Sequence, residues 1–176
     1  MFLKVFRHPN FLDADACLRI RDAMDRGRVE TADVLSETVE HQRDVRRASY
    51  VEVADDVLRE VEARLDAQRA DLAAFFRMPL TGREGAGFVR YPQGGFYRSH
   101  RDRAHVASWP DAARRRLATV VFLNDDFRGG VLRLLEGGGS DLMPAAGMLV
   151  AFPADVLHEV TPVRDGVRDA IVDWFY

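Results

Sequence analysis

Two histidines and one aspartate have the residue types and the spacing of a metal site. His100 and Asp102 end a strand-like run, and side chains two apart on a strand point the same way, so both can reach one ion. His158 lies inside a second apolar run. Two histidines and one carboxylate form the facial triad that binds non-haem iron(II) and leaves positions open for oxygen chemistry. The alternatives are a surface histidine beside a loop aspartate and a hydrogen-bonded core histidine.

An arginine follows this constellation at the start of the last strand-like run. Arg168 stands beyond His158, and its planar guanidinium can pair both oxygens of a carboxylate, which suits a dicarboxylate co-substrate. The alternative is a surface ion pair with Asp165 or Asp169, which would contribute little stability. Only the combination of the arginine with the three metal-ligand candidates is informative.

Helical periodicity dominates the first part of the chain. In the first predicted helix, Cys17, Ile20 and Met24 share one face, and Gly27 ends it, while two residues are candidate caps, Asp13 and Asp15. The second helix is closed by Pro79 and carries an apolar stripe formed by Val57, Leu58, Val61, Leu65 and Leu72. The segment between them is ambiguous and compatible with short strands.

From Gly85 onward, short β-rich runs alternate with Gly, Pro and Asp. The runs are GFVRY, FYRSH, LATVVFLN, VLRLLE, GMLVAF, VLHEV and RDAIVDWFY. This pattern predicts an antiparallel sandwich or jelly roll, with the helices on one outer face and the site in the mouth of the β part. We therefore expect one α+β domain over residues 1–176, with helical support over 1–80 and the β core over 85–176.

Composition limits the environment and the partners. The 176 residues include 47% hydrophobic and 30% charged residues, which is ordinary for a globular domain, and the net charge of -3 argues against a nucleic-acid partner. Cys17 is the single cysteine, which favours a reducing compartment. No apolar run has the length of a signal peptide or a membrane span. We therefore expect a cytoplasmic protein without a membrane partner, and its oligomeric state stays open.

A series of short motifs occurs in one order from Gly85 to the C-terminus. The motifs are Arg90-Tyr91, Gly94-Gly95, His100-x-Asp102, Phe122-Leu123-Asn124, Asp126-Phe127-x-Gly129-Gly130-x-Leu132, Pro144-x-x-Gly147, His158-Glu159-Val160-x-Pro162, Arg168 and Trp174. In these motifs the chain resembles the prolyl 4-hydroxylase branch of the 2-oxoglutarate and iron(II)-dependent oxygenases. The resemblance implies a double-stranded β-helix, another name for a jelly roll of this kind.

The resemblance also implies residue roles. The iron ligands would be the three residues of the triad, and Arg168 would pair with the distal carboxylate of 2-oxoglutarate. Tyr91 matches a tyrosine beside the metal and the co-substrate, and Trp174 matches a residue near the substrate, although either aromatic could instead belong to the core. The implied cofactors are iron(II), 2-oxoglutarate and dioxygen, with ascorbate as an accessory reductant.

Two positions depart from the family pattern. Many relatives have a tyrosine where this chain has Phe122, and its hydroxyl helps to bind the distal carboxylate. Thr119 is the candidate for supplying the missing hydroxyl. Many relatives also have a glutamate where this chain has Val131. Neither departure touches a metal ligand.

The expected reaction is hydroxylation of a C–H bond coupled to conversion of 2-oxoglutarate to succinate and carbon dioxide. Asp102 argues against a halogenase, which needs a non-ligating residue there. The expected substrate is a prolyl residue in a protein or peptide, and the alternative is a free amino acid or small metabolite. Two other classes stay open, a zinc hydrolase using His100, Asp102 and either His105 or His158, and a catalytically silent iron-binding sensor.

Several further residues are candidates for a substrate groove. The segment Val29 to Tyr50 resembles in position the substrate-covering segment of the prolyl hydroxylases. The individual groove candidates are polar or aromatic, namely Arg46, Arg47, Arg98, His105, Trp109 and Arg115.

Overall fold

A computed structural model gives the fold and describes residues 3–32, 42–105 and 109–176. The helices are α1 (Ala14–Arg26), the short α2 (Gln42–Val45) and α3 (Asp55–Phe76), and a 3-10 turn covers Pro110–Arg114. None of the helices in these ranges combines the length and the apolarity needed to cross a membrane.

Both long helices begin and end as local chemistry dictates. The side chain of Asp13 accepts a hydrogen bond from the backbone N–H of Ala16 at 2.7 Å, and the N–H of Gly27 donates to the carbonyl of Met24. Helix α3 ends at Arg77, which adopts a left-handed conformation with φ 55°. The two predicted helices and the Asp13 cap are confirmed.

The strands form one large and one smaller antiparallel sheet. The large sheet has the order β1-β11-β7-β14-β5-β4-β2, and its strands are β1 (Phe6–His8), β2 (Val29–Thr31), β4 (Ser49–Val51), β5 (Gly87–Tyr91), β7 (Leu117–Phe122), β11 (Leu149–Pro153) and β14 (Arg168–Phe175). The smaller sheet has the order β10-β9-β12-β6-β3, and its strands are β3 (Arg46–Arg47), β6 (Phe96–His100), β9 (Leu132–Leu134), β10 (Ser140–Leu142) and β12 (His158–Val160). A separate pair joins β8 (Arg128–Gly129) to β13 (Val163–Asp165).

Two apolar clusters show how these layers pack. One cluster lies between the sheets and combines Val89 and Phe152 of the large sheet with Leu132 of the smaller sheet. The other lies between the large sheet and the helices, and it combines Ile171 with Met24 of α1 and many further side chains. The chain is therefore a two-sheet β-sandwich with helices on one outer face, as predicted, and the arrangement is compatible with a jelly roll.

The N-terminal part is more than helical support. Strand β1 pairs with β11, and strands β2 and β4 extend the large sheet beyond β5. Strand β3 pairs with β6 of the smaller sheet. The segment that was ambiguous in sequence therefore contributes strands to both sheets.

Alternation along β14 determines which of its residues can reach the space between the sheets. Ile171 and Phe175 belong to the cluster under the helices, whereas Ala170 and Trp174 pack in the cluster between the sheets. Because side chains alternate along a strand, Arg168 is on the inner side with Ala170. We call these two sides of β14 the helix face and the pocket face.

Candidate metal and co-substrate site

The three predicted metal-ligand residues come together at one end of the smaller sheet. His100 ends β6, His158 begins β12, and the two residues are directly paired across the strands. Asp102 follows β6, and its carboxylate oxygens lie 3.5 Å from Nε2 of each histidine. The ligand atoms all lie within 4.8 Å of one another, so they can share one ion. No other group of three such side chains within the described ranges lies as close together.

Hydrogen bonds orient both imidazole rings toward this point. Nδ1 of His158 lies 2.9 Å from the carbonyl oxygen of Val156, and Nδ1 of His100 lies 2.8 Å from that of Arg98. A ring whose Nδ1–H donates to a carbonyl presents the lone pair of Nε2 to its other side. Both Nε2 atoms are the ones that face Asp102, which is the orientation that a bound metal requires.

The electrostatics favour the protonation states of metal ligands. Burial lowers the pKa of His158 to about 4, so its imidazole is neutral near pH 7. Burial alone would raise the pKa of Asp102, but the neighbouring His158 and His100 and the indole N–H of Trp174 outweigh it and hold that pKa well below its ordinary range. Neutral imidazole and ionised carboxylate are the forms that bind divalent metals.

The triad opens into a pocket between the two sheets. This pocket encloses about 640 Å³ outside the protein atoms, part of it open to solvent. Its wall includes the residues predicted to bind the metal and the co-substrate, some of the predicted substrate residues, and several aromatic and aliphatic side chains. The predicted residues among them are Arg46, Tyr91, His100, Asp102, Trp109, Arg115, Thr119, His158, Arg168 and Trp174.

Arg168 is the clearest feature of the pocket beside the triad. It is only 1% exposed, and its guanidinium lies 4.9 Å from the ring centre of Tyr91 and 5.4 Å from that of Phe122. Burial lowers its pKa, and the nearby Tyr91 opposes that shift. Its Nε has no hydrogen-bond partner, and within residues 3–32, 42–105 and 109–176 no carboxylate lies within 4 Å of its guanidinium.

The alternative of a surface ion pair for Arg168 is therefore wrong. Asp165 is exposed and pairs with Arg128 at 2.9 Å. Asp169 lies on the helix face of β14 and pairs with Arg90 and Arg21. Arg168 instead places a positive charge in the pocket that holds the triad.

A glycine makes room for this arginine. Gly130 has φ 59°, a conformation that favours glycine, and a Cβ at this position would lie 3.1 Å from Cδ of Arg168. The same Cβ would lie 3.0 Å from side-chain atoms of Phe127 and of Val163. Gly130 of the Gly129-Gly130 motif thus has a physical role, because it leaves room for the large buried side chain with which β14 begins.

The geometry corrects the prediction for Thr119. Its neighbours Val120 and Phe122 pack between the sheets, whereas Val121 packs under the helices, so alternation turns the Thr119 side chain away from Phe122. Its hydroxyl donates a hydrogen bond to the carbonyl of Asp173 at 2.9 Å. Thr119 borders the pocket but does not offer the hydroxyl that Phe122 lacks.

Arg115 and Trp174 line the pocket in a different way from the one expected. Arg115 is 2% exposed and makes a two-pronged ion pair with Glu84, at 2.6 and 2.7 Å. Its charge is already matched inside the protein, which argues against the predicted contact with substrate. Trp174 lies at the Asp102 carboxylate with the Arg115 guanidinium 3.8 Å from its ring centre.

The other groove candidates divide between two surfaces. Arg46 and Trp109 line the same pocket as the triad, whereas Arg47 and Arg98 line a neighbouring groove. His105 is exposed and lines neither of them. The metal alternative that used His105 is not supported by this placement.

Sequence reasoning missed two contributors to the pocket, Tyr97 and Tyr50. Tyr97 stacks on His100 with 3.5 Å between ring centres, and Arg46 lies over the rings of both Tyr97 and Tyr50. Tyr97 had a usable signal, since it belongs to the same predicted strand as His100. Tyr50 had none, because it comes from the ambiguous segment. Much of the predicted covering segment Val29 to Tyr50 lies outside the described residues, and its described ends are built into strands.

Comparison with known proteins gives a consistent result. The family model of the 2OG-Fe(II) oxygenase superfamily matches residues 86–176, just over half of the chain. A PKHD-type hydroxylase of Thermosynechococcus vestitus is 30% identical over 148 residues, which cover 82% of this chain and 63% of that protein. A PKHD-type hydroxylase of Alteromonas mediterranea is 35% identical over 92 residues, which cover 49% of this chain and 41% of that protein. The chain thus spans less than two thirds of the length of these relatives.

Solved structures resemble almost the whole chain. A prolyl-4-hydroxylase of Pseudomonas putida is 25% identical with a TM-score of 0.77, and the match covers 98% of this chain and 92% of that one. A prolyl hydroxylase of Trichoplax adhaerens, solved with a peptide fragment of a hypoxia inducible factor, has a TM-score of 0.78 at 19% identity. That match covers 98% of this chain and 83% of the other, and at such identity it supports the fold alone.

Proposed function

Since this chain belongs to the 2OG-Fe(II) oxygenase superfamily, we propose that it is an iron(II)- and 2-oxoglutarate-dependent dioxygenase that hydroxylates a C–H bond. The observation that carries the proposal is the coexistence of the triad and the buried Arg168 in one pocket. The triad by itself would suit several metals and reactions. A buried arginine with no carboxylate of the described residues within 4 Å favours an anionic ligand in addition to the metal.

The donor set fits iron(II). Two imidazoles and one carboxylate, whose ligand atoms all lie within 4.8 Å of one another, match the facial triad and leave coordination positions for other ligands. His100, Asp102 and His158 would hold the metal. When bound, the iron with 2-oxoglutarate and dioxygen supplies the oxidising power, and the co-substrate leaves as succinate and carbon dioxide.

Arg168 would hold the distal carboxylate of 2-oxoglutarate. A guanidinium can pair both oxygens of a carboxylate, and its pairing is strong in a pocket from which water is excluded. The aromatic rings of Tyr91 and Phe122 flank Arg168 and keep its surroundings apolar. The buried charge, which opposes folding when it is unmatched, would be neutralised when the co-substrate binds.

The family leaves the substrate open, and we propose a prolyl residue in a protein or peptide. Support comes from the similarity to the prolyl-4-hydroxylase of Pseudomonas putida over nearly the whole chain. Four of the five tyrosine and tryptophan residues in the pocket wall, namely Tyr50, Tyr97, Trp109 and Trp174, also suit the apolar pyrrolidine ring. A free amino acid or small metabolite is the alternative, and an ascorbate requirement would belong to either reaction.

The zinc-hydrolase and sensor alternatives predict different metal content and different turnover. A zinc hydrolase would use the same three ligands but would leave Arg168 without a role. A sensor would bind iron and 2-oxoglutarate without turnover. Metal analysis of anaerobically purified protein separates iron from zinc, and release of succinate separates an enzyme from a sensor.

The test of the proposed function is a set of parallel incubations. The iron(II)-loaded protein receives 2-oxoglutarate and oxygen together with proline-containing peptides in one set and free amino acids in the other. Mass spectrometry reports the gain of one oxygen atom, and succinate is measured in the same samples. We expect oxidised peptide and stoichiometric succinate. Oxidation of free amino acids alone would favour the small-molecule substrate over the peptide substrate. If 2-oxoglutarate is not consumed in a metal-dependent way under any condition, the assignment as an enzyme is wrong.

A further inference from the structure

A buried ion pair lies directly behind the triad, and the proposed reaction gives it no role. Arg115 precedes β7, and Glu84 lies before β5. Nε and Nη2 of Arg115 donate to the two oxygens of Glu84, at 2.6 and 2.7 Å. The Arg115 side chain is 2% exposed, so the pair is largely removed from solvent screening.

The third nitrogen of the same guanidinium contacts one of the proposed metal-ligand residues. Nη1 of Arg115 donates to the backbone carbonyl of Asp102 at 3.1 Å, and this hydrogen bond is buried. The face of the guanidinium also lies 3.8 Å from the ring centre of Trp174, whose indole adjoins the Asp102 carboxylate. One arginine therefore contacts the backbone of Asp102 directly and its side chain through Trp174.

Asp102 needs such support more than the two histidines do. His100 and His158 are paired with each other in the sheet, whereas Asp102 lies beyond the end of β6 and outside the strand ladder. A backbone carbonyl that leaves the ladder in a buried place requires another donor. Arg115 supplies that donor, and Glu84 fixes the plane of the guanidinium that presents it.

We propose that Arg115, held by Glu84, is a positioning residue that keeps the Asp102 carboxylate aimed at the metal. The inference rests on the proposed function only for the presence of a divalent metal at the triad. Arginine suits this position because three separate nitrogen atoms of its planar guanidinium donate to the two oxygens of Glu84 and to the carbonyl of Asp102, whereas lysine has a single nitrogen. Groups that orient metal ligands typically change metal affinity by about 10- to 100-fold when they are replaced.

The test measures the affinity of the protein for manganese(II) alone, by calorimetric titration under anaerobic conditions. Arg115→Lys keeps the charge but loses the fork, and Glu84→Gln keeps the shape but loses the ion pair. We expect about 10- to 100-fold weaker manganese binding in Arg115→Lys and a smaller loss in Glu84→Gln. Trp174→Phe keeps the stacking surface, loses the indole N–H, and should also weaken binding.

Arg83→Lys is the matched control. Arg83 is also a largely buried arginine with several carboxylate partners, but it lies on the helix face and pairs with Asp173, Glu62 and Asp66. The Arg83→Lys variant should lose thermal stability, as Arg115→Lys does, but it should bind manganese(II) as tightly as the wild-type protein. Wild-type manganese affinity in folded Arg115→Lys would overturn the proposal, and so would an equal loss of affinity in Arg83→Lys. If Arg115→Lys does not fold, the same comparison is made with Glu84→Gln and Trp174→Phe, and unchanged affinity in both would overturn it.

Failure of the proposed function would give a different result. Succinate release by the wild-type protein reports on the reaction, whereas the ratio of manganese affinities reports on the role of Arg115. A wild-type protein that binds manganese but never converts 2-oxoglutarate would remove the dioxygenase assignment, and the variant ratios would still decide whether Arg115 positions Asp102.

Discussion

The two faces of strand β14 differ in whether their charged side chains form ion pairs within the protein. On the helix face, Asp169 accepts hydrogen bonds from Arg90 at 2.7 and 3.0 Å and from Arg21 at 3.1 Å. Asp173, on the same face, pairs with Arg83 at 2.9 Å and accepts a hydrogen bond from the N–H of Gly85. On the pocket face, Arg168 has no carboxylate within 4 Å among the residues that the structure describes.

The difference separates stabilisation from binding along a single strand. Buried charges are costly unless they are paired, and the helix face pairs its charges within the chain. The pocket face retains a buried cation beside a metal-ligand cluster, at a cost to folding that a bound dicarboxylate would remove. Variants of the two faces should therefore affect different measurements.

The largest effect is expected in the pocket, at the metal itself. Asp102→Ala should lose metal binding and succinate formation together while the protein remains folded, because two histidines without the carboxylate make a poor site. Iron content after anaerobic reconstitution and succinate release are the measurements. Equal iron content and equal turnover in the variant would remove Asp102 from the site.

The next effect concerns the charge on the pocket face. Arg168→Ala should raise the 2-oxoglutarate requirement, since loss of a charge-assisted pair costs on the order of 2–5 kcal/mol, or roughly 30-fold to several thousand-fold in affinity. Arg164→Ala removes an exposed arginine from the preceding strand and should change the requirement little. A variant of Arg168 that responds to 2-oxoglutarate like wild type would mean that the distal carboxylate binds elsewhere.

The helix face should show the reverse behaviour. Asp169→Asn leaves Arg90 and Arg21 without their buried partner and should lower the free energy of unfolding by about 1–3 kcal/mol. The 2-oxoglutarate requirement should stay near that of wild type. Denaturant unfolding and initial-rate assays measure the two quantities, with the exposed Asp165→Asn as control. A change in co-substrate affinity without a change in stability would contradict the separation of the two faces.

The smallest effect is expected at Thr119. Because its hydroxyl bonds the carbonyl of Asp173, Thr119→Val should cost about 1 kcal/mol of stability and leave the 2-oxoglutarate requirement nearly unchanged. Thermal unfolding and a co-substrate titration provide the comparison. A large rise in the 2-oxoglutarate requirement would restore Thr119 to the binding residues.

Local patterns predicted the parts of the fold that depend on local chemistry. The cap at Asp13, the stop at Gly27 and the seven β-rich runs each correspond to an element of the structure. The cluster of candidate metal ligands was predictable because His100 and Asp102 are close together in one strand-like run and because His158 occurs in a characteristic motif. Motif order, rather than residue type, singled out Arg168 from a chain in which all 25 basic residues but Lys4 are arginines.

Features that depend on long-range packing were not predictable. The side on which Thr119 lies follows from the register of β7 against its neighbours, which its own sequence does not encode locally. The ion pair between Arg115 and Glu84 joins residues far apart in sequence, and many other arginines and carboxylates of the chain could have formed an equivalent pair. Arg46 was a groove candidate, but the pairing of β3 with β6 that brings it to the pocket joins short segments with no distinctive pattern.

The central claim is that the pocket binds a dicarboxylate between a metal at the triad and Arg168. Anaerobic calorimetric titration of 2-oxoglutarate into manganese(II)-loaded protein tests it most directly, with metal-free protein and the Arg168→Ala variant titrated in parallel. The account predicts one molecule bound per chain in the loaded wild type, and much weaker binding when either the metal or the arginine is removed. Binding that is equally tight without metal or without Arg168, or no binding to the loaded wild type, would contradict it.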